Sequence, residues 1–259
     1  MSLVVEKKGA VGWIVFNQPA KKNAINDAMW RGIPEAMARF DADREVRCVA
    51  FRGAGTEAFA SGADISEFAK IRAERAAVSQ YDGLLDRVLH SIQGSPKPSV
   101  AMIHGFCMGG AVGLAMACDL RFAAEGSRFG IPAARLSIVY PPEAIAQLVD
   151  LVGPAYAKDI LFSARTVSDR EALAIGLVQR LVPAAELERT TYDYLRLVAD
   201  NAPLSVRGSK VTIQAYLAGF NEQSRARLRT LSLEAAASED YREGTRAFLE
   251  KRRPTFQGR

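Results

Sequence analysis

Between Lys97 and Asp119 the chain runs for 21 residues without a charged side chain. A surface segment of that length carries ions, so this one is buried, and its length alone would let it cross a bilayer. Its interior argues against a membrane span. Pro98, His104 and the glycines at 105, 109, 110 and 113 divide it into a strand over 99–103, a tight turn over 105–110 and a short helix over 111–117. Another strand, 120–124, follows at once. A buried strand joined through a glycine turn to a buried helix and a further strand belongs to an α/β layered core, and 259 residues suffice for one such core with a smaller appendage.

The flanking segments fit that architecture. The apolar runs 3–5 and 11–16 predict a hairpin around Lys8-Gly9. Ile25, Met29, Ile33, Met37 and Phe40 keep near-helical spacing, with Gly32 and Pro34 expected to kink the helix. A strand over 47–51, a glycine-punctuated loop over 53–62 and an amphipathic helix through Tyr81, Leu84, Leu85, Val88 and Ile92 follow, the last ended by Gly94 and Pro96. Beyond Pro142 the apolar spacing is helical through Val152, with further helices expected over 155–163 and 169–175. From Glu186 the chain reads as largely helical. We therefore expect an α/β core over 1–185 and a helical section over 186–259.

Composition excludes several classes of function. The net charge of +5 is too mild to imply nucleic acid. Cys48, Cys107 and Cys118 are an odd set without C-x-x-C spacing, and two histidines are too few for a typical zinc cage. They read as reduced thiols in a cytoplasmic protein with no bound metal. The N-terminus lacks the basic, apolar and cleavage regions of a secretory signal.

Three glycine motifs compete for the chemistry. Gly53-Ala54-Gly55-Thr56-Glu57-Ala58 imitates a dinucleotide fingerprint, but it runs into a second turn where a fingerprint opens a helix. Gly105-Phe106-Cys107-Met108-Gly109 imitates a nucleophile elbow with cysteine at its centre. Its only histidines, His90 and His104, precede it, so the base that follows in a hydrolase is missing. The third pattern is a pair of turns, 60–64 and 108–111, separated by a helix and a strand. Each exposes backbone N–H groups, and the second opens a helix, whose N-terminus favours negative charge. Placed face to face they would form an oxyanion hole.

Taken in order, Asn17-Gln18-Pro19, Lys22-Asn23-Ala24-Ile25, Ala58 through Ile65, Pro96-Lys97-Pro98, His104-Gly105, Gly109-Gly110, Cys118-Asp119-Leu120, Phe129-Gly130 with Pro132, and Ser238-Glu239-Asp240 through Phe256 resemble the crotonase, or enoyl-CoA hydratase/isomerase, superfamily over nearly the whole chain. The resemblance implies a crotonase (ClpP-like) α/β fold of repeated β-β-α units with a helical C-terminal trimerisation section. It implies chemistry on an acyl-CoA through a thioester enolate, with the N–H groups of Ala63 and Gly110 as oxyanion donors. Lys22, Ala24, Ile25, Ala60, Asp64 and Ile65 correspond to the coenzyme A groove. Phe248 and Lys251 match residues that reach a neighbouring subunit's ligand, so a homotrimer or dimer of trimers is expected. Coenzyme A arrives as part of the substrate, and no separate cofactor or metal is implied.

The chain departs from the hydratase pattern where protons move. The positions of the two hydratase glutamates hold Gly113 and Ala133, neither of which can transfer a proton. The loop 136–143 is where other members carry alternative acids. Pro141 takes the position of the isomerase carboxylate there, Glu143 lies two residues on, and Tyr140 coincides with a tyrosine of the methylmalonyl-CoA decarboxylase-like branch. That branch has a histidine where this chain has Ala63. Tyr140 and Glu143 are thus the candidate proton-handling residues, and isomerisation and decarboxylation stand beside weak hydration. Two other classes stay open: a thioester-binding protein without turnover, and RNA binding, for which the lysine-free helix region 29–47 gives a weak footprint.

Overall fold

The computed structural model describes residues 2–64, 66 and 75–259, with the backbone alone for 75–80. The hairpin forms where the apolar runs predict it: β1 (Leu3–Lys8) pairs antiparallel with β2 (Val11–Phe16), and Gly9 turns the chain at φ 59°. Helix α1 (Asp27–Ala42) starts at Asn26, whose side chain accepts the Met29 N–H. It continues through Gly32 and Pro34, because burial of Met29, Trp30, Ile33, Met37 and Phe40 along one face outweighs the hydrogen bond that proline cannot donate.

The remaining core alternates strands and helices: β3 (Cys48–Gly53), β4 (Ala58–Ala60), α2 (Arg75–Gln93), β5 (Ser99–Ile103), β6 (Phe106–Met108), α3 (Gly110–Ala117), β7 (Leu120–Ala124), β8 (Arg128–Gly130) and α4 (Pro142–Ser163). These are three β-β-α units. Each gives its first strand to a six-stranded sheet, order β1-β2-β3-β5-β7-β10, and its second to a four-stranded sheet, order β4-β6-β8-β9. Here β9 is Thr166–Ser168 and β10 is Arg180–Val182, with α5 (Asp169–Ala174) between them. Gly153, at φ 76° and ψ 163°, divides α4 near the point where the spacing separates two helical stretches.

The structure corrects two expectations. The loop 53–62 contains β4 and the turn 105–110 contains β6, strands of three residues each. Three residues are too few to leave a periodic signature, and only pairing with each other and with β8 makes them strands.

Both faces of the large sheet are covered, as a mostly parallel sheet requires. Val11, Trp13, Cys48, Val100 and Phe122 turn outward and meet Leu187 and Leu195 of α6 (Leu187–Ala199), the first helix after Glu186. The alternate residues, Ile14, Phe16, Val49, Phe51 and Ile103, turn inward against α1 to α4. Three further helices, α7 (Pro203–Leu217), α8 (Glu222–Ala237) and α9 (Glu239–Leu249), complete the C-terminal section. No helix among the described residues is long and apolar enough to cross a membrane.

Helix α3 lies in the middle of this packing, with every residue from Ala111 to Ala117 buried. Its last carbonyls cannot reach water. Arg121, itself 3% exposed, supplies the donors: Nη1 bonds the carbonyls of Ala115, Met116 and Cys118, and Nε bonds that of Leu177 at 2.8 Å. Burial pulls this guanidinium down to about 10, which leaves it charged at neutral pH and suited to the negative end of the helix. Replacing Arg121 by methionine strands these carbonyls. We expect a loss of about 3 kcal/mol, read as a lower urea midpoint at unchanged slope.

Candidate active site

The two glycine turns leave the ends of neighbouring strands. β4 and β6 run parallel, with Ala58 opposite Phe106 and Ala60 opposite Cys107, so the segments after Ala60 and after Met108 emerge side by side. Their approach is close. A Cβ built on Gly62 would stand 3.0 Å from the Met108 carbonyl oxygen and 3.9 Å from the Gly109 Cα, and Gly62 holds φ 102°. Any side chain at 62 would push the turns apart.

The backbone N–H groups are oriented by what surrounds them. Ile25 donates to the Gly62 carbonyl at 2.8 Å, and Asp64 donates to the Ile25 carbonyl at 2.9 Å. In such a parallel bridge the intervening residue, Ala63, turns its own N–H to the opposite side. Gly109 adopts φ 55° and ψ −123° as N-cap of α3 and donates to the Gly130 carbonyl at 2.8 Å. The next N–H, on Gly110, is then the first of the helix and has no intrahelical acceptor. Among the described residues neither the Ala63 nor the Gly110 N–H has a protein acceptor. The Trp30 ring edge lies 3.4 Å from the place of a Gly110 Cβ and forms the floor beneath it.

The neighbourhood of position 113 is filled in an unforeseen way. A Cβ there would stand 2.9 Å from the Tyr140 hydroxyl and 3.7 Å from the Ala144 Cβ. Tyr140 is buried, and its hydroxyl donates to the Gly109 carbonyl at 3.0 Å. Burial, with Cys107 nearby, raises this phenol well above its ordinary value, so it acts as a neutral donor. Glu143 is different. It stands exposed in the first turn of α4. It also faces Asp86 of α2, whose carboxyl is pushed up by burial and by the Glu143 charge. Sequence reasoning missed Asp86, since an acid on a helix face carries no signal of what the face meets.

The rival motifs dissolve in the structure. Cys107 is wholly buried on β6 and burial raises its thiol, the reverse of an activated nucleophile. His90 is exposed, with Nδ1 against the Asp86 backbone carbonyl at 2.7 Å, and burial lowers the pKa of His104.

The expected groove is held by two polar clamps. Asn23, 1% exposed and at φ 55°, takes the Gln18 N–H on its oxygen and donates to the carbonyls of Ala54 and Ala58, tying the segment 17–25 to the loop before β4. Asp64 accepts from Lys21 at 2.7 Å and from the Ser66 hydroxyl at 2.6 Å; chiefly the Lys21 contact holds its carboxyl below the usual range. Lys22 pairs with Glu57 at 3.1 Å and lies 4.8 Å over the Phe106 ring. Ala24, Ile25 and Ala60 are buried, and both backbone polar groups of Ile25 are spent on the 62–64 turn. Ile65 lies outside the described residues. Phe248 and Lys251 stand exposed at the end of α9, the former 83% exposed, and within the chain they do not join the two turns.

Comparison with known proteins agrees with this geometry. Residues 6–259 match the family model described as enoyl-CoA hydratase/isomerase. The chain belongs to this family. It is 31% identical to the short-chain-enoyl-CoA hydratase of Clostridium acetobutylicum, across 97% of this chain and 96% of that protein. To the crotonyl-CoA hydratase of Syntrophomonas wolfei it is 32% identical, across 98% and 97%. Its backbone superposes on the crystal structure of an enoyl-CoA hydratase from Bacillus anthracis with a TM-score of 0.93, at 27% identity and full coverage of both chains. The corresponding values for an enoyl-CoA hydratase/carnithine racemase from Magnetospirillum magneticum are 0.94 and 34%, with 100% of this chain and 96% of that one covered. The crotonase fold expected from the sequence is thus the fold of this family member.

The contact between position 113 and Tyr140 is directly testable. Gly113→Ala should cost about 1–3 kcal/mol by overpacking against the hydroxyl. In a Tyr140→Phe background the nearest remaining ring carbon is 3.8 Å away, an ordinary contact, so the same substitution should cost less than half as much. A double-mutant cycle followed by urea denaturation measures the difference.

Proposed function

We propose that this family member processes acyl-CoA thioesters through an enolate held by the N–H groups of Ala63 and Gly110, and that hydration is its weakest reaction. The observation that carries the reading is the pair of turns at the ends of β4 and β6, packed face to face with both N–H groups unspent among the described residues. A base removes the proton from the carbon beside the thioester, or carbon dioxide leaves that carbon. The electron pair moves onto the thioester oxygen, and the two donors stabilise the charge there. Reprotonation of the chain completes isomerisation or decarboxylation.

Hydration additionally needs an acid and a base on the water, and Gly113 and Ala133 supply neither. Of the two loop residues, Glu143 takes the proton-carrying role, because Tyr140 is neutral and already donates to Gly109. The segment 21–25 with Asp64 would receive the coenzyme A portion. The missing glutamates favour isomerisation or decarboxylation over hydration, and failure to turn over any thioester would leave a binding protein.

The test compares crotonyl-CoA hydration, 3-enoyl-CoA isomerisation and methylmalonyl-CoA decarboxylation in one set of variants. Wild type should hydrate about 10² to 10⁴ times more slowly than a relative bearing both carboxylates. Gly110→Pro, which removes one donor at a position where a helix tolerates proline, should lower the preferred reaction by about 10² or more. Glu143→Gln should abolish isomerisation selectively if that is the reaction. Rapid hydration unaffected by either change would overturn the reading.

We further propose assembly as a homotrimer or dimer of trimers through the section 186–259, with Phe248 and Lys251 reaching a neighbour's ligand. Supporting this, Ile213, Tyr216, Leu217, Leu233 and Leu249 leave the helical section with much apolar surface in water. The buried free thiols fit the reducing cytoplasm to which we assign the protein. Light scattering should give three or six chains, and deletion after Tyr241 should lower both mass and coenzyme A affinity. A native monomer with full affinity would contradict it.

A further inference from the structure

The Gly109 carbonyl and the Gly110 N–H belong to one peptide unit. The carbonyl end accepts the Tyr140 hydroxyl at 3.0 Å and the Val112 N–H at 3.0 Å, while the N–H end is left for the ligand. Glycine at 109 leaves the rotation of this peptide weakly restrained by sterics, at φ 55° and ψ −123°. The two groups on the carbonyl, the Val112 N–H and the Tyr140 hydroxyl, therefore hold its N–H toward the neighbouring turn.

We propose that Tyr140 is a positioning residue whose hydroxyl clamps the Gly109 carbonyl and so both orients and polarises the Gly110 N–H. A hydrogen bond to an amide oxygen draws electron density away from the nitrogen, which makes the same amide a stronger donor. The glycine at 113 is part of the device. A Cβ there would stand 2.9 Å from the tyrosine oxygen, so a side chain at 113 and the Tyr140 clamp compete for one volume. This chain has exchanged a carboxylate position for a stiffened donor. Tyr140 is itself buried, so water competes little for the bond.

The inference deepens the enolate reading, and it rests on that reading only for its second readout. Gly109-Gly110 is the single Gly-Gly step in the sequence. Labelling the full-length, ligand-free protein with ¹³C′,¹⁵N-glycine therefore leaves one bonded pair, seen as one cross-peak in a magic-angle-spinning N–CO spectrum. In Tyr140→Phe the Gly109 carbonyl carbon and the Gly110 nitrogen should both move upfield. With 3-fluorotyrosine placed at 140, a more acidic donor of nearly the same shape, both should move downfield. Should the phenylalanine variant fail to fold, the fluorinated one alone decides. A cross-peak that stays put in the folded variants overturns the inference.

The second readout is the absorption of bound 2,4-hexadienoyl-CoA, which shifts to longer wavelength as its thioester carbonyl is polarised. The shift should shrink in Tyr140→Phe, with kcat about tenfold lower and KM nearly unchanged. A full shift and full kcat in that variant would also overturn the clamp. If the cross-peak moves as stated but the wild type never shifts the ligand, the clamp stands and the acyl-CoA reading falls.

Discussion

Helix α3 is eight residues long, apolar throughout and buried in the centre of the molecule, and its two ends impose opposite demands on everything around it. At the C-terminal end the carbonyls must be bonded, because water is excluded; the buried guanidinium of Arg121 meets that need and complements the helix dipole. At the N-terminal end a donor must stay unbonded if the helix is to bind an anion. The C-terminal end is closed by a side chain, and the N-terminal end is left open. A helix too short to be stable alone is kept in place by α2 and α4 on its flanks, which lets it hold that open donor.

The second donor depends on topology. Each β-β-α unit sends its second strand to the small sheet, and consecutive units place those strands side by side. The turns after β4 and β6 are therefore adjacent although 48 residues separate Gly62 from Gly110 (110 − 62). Gly62 permits the contact, and Asn23 and the Lys21–Asp64 pair brace the outer turn against the segment before α1. The buried hydrogen bond from Asn23 to the Ala58 carbonyl matters more here than the ion pair, whose lysine is half exposed and screened by water.

Chemistry in this frame is set by what occupies the space over α3. Tyr140 fills the volume that a side chain at 113 would need, and α4 begins immediately after it, placing Ala144 against the helix and Glu143 at the solvent edge near Asp86. The absence of carboxylates at 113 and 133 is plain in the sequence. That a phenol from a loop 27 residues further on (140 − 113) occupies the space beside Gly113 is a statement about packing.

By itself the sequence determined the hairpin, the longer strands and helices of the core, the buried helix that closes the uncharged run and, through its ordered motifs, the family. These are legible because apolar periodicity, glycine and proline act over a few residues. It also marked both turns as donors of free N–H groups. Tertiary structure alone decided the rest. It made strands of the three-residue segments β4 and β6, whose only stabilisation comes from pairing partners distant in the chain. It carried α1 through Pro34, since burial of one whole face outweighed one lost hydrogen bond. It turned Arg121 from one charge among many into the cap of a buried helix, and Tyr140 from an aromatic in a loop into a neutral donor on the Gly109 carbonyl. Each of these depends on which groups lose their water together, and desolvation is a property of the packed chain that no local pattern of residues encodes.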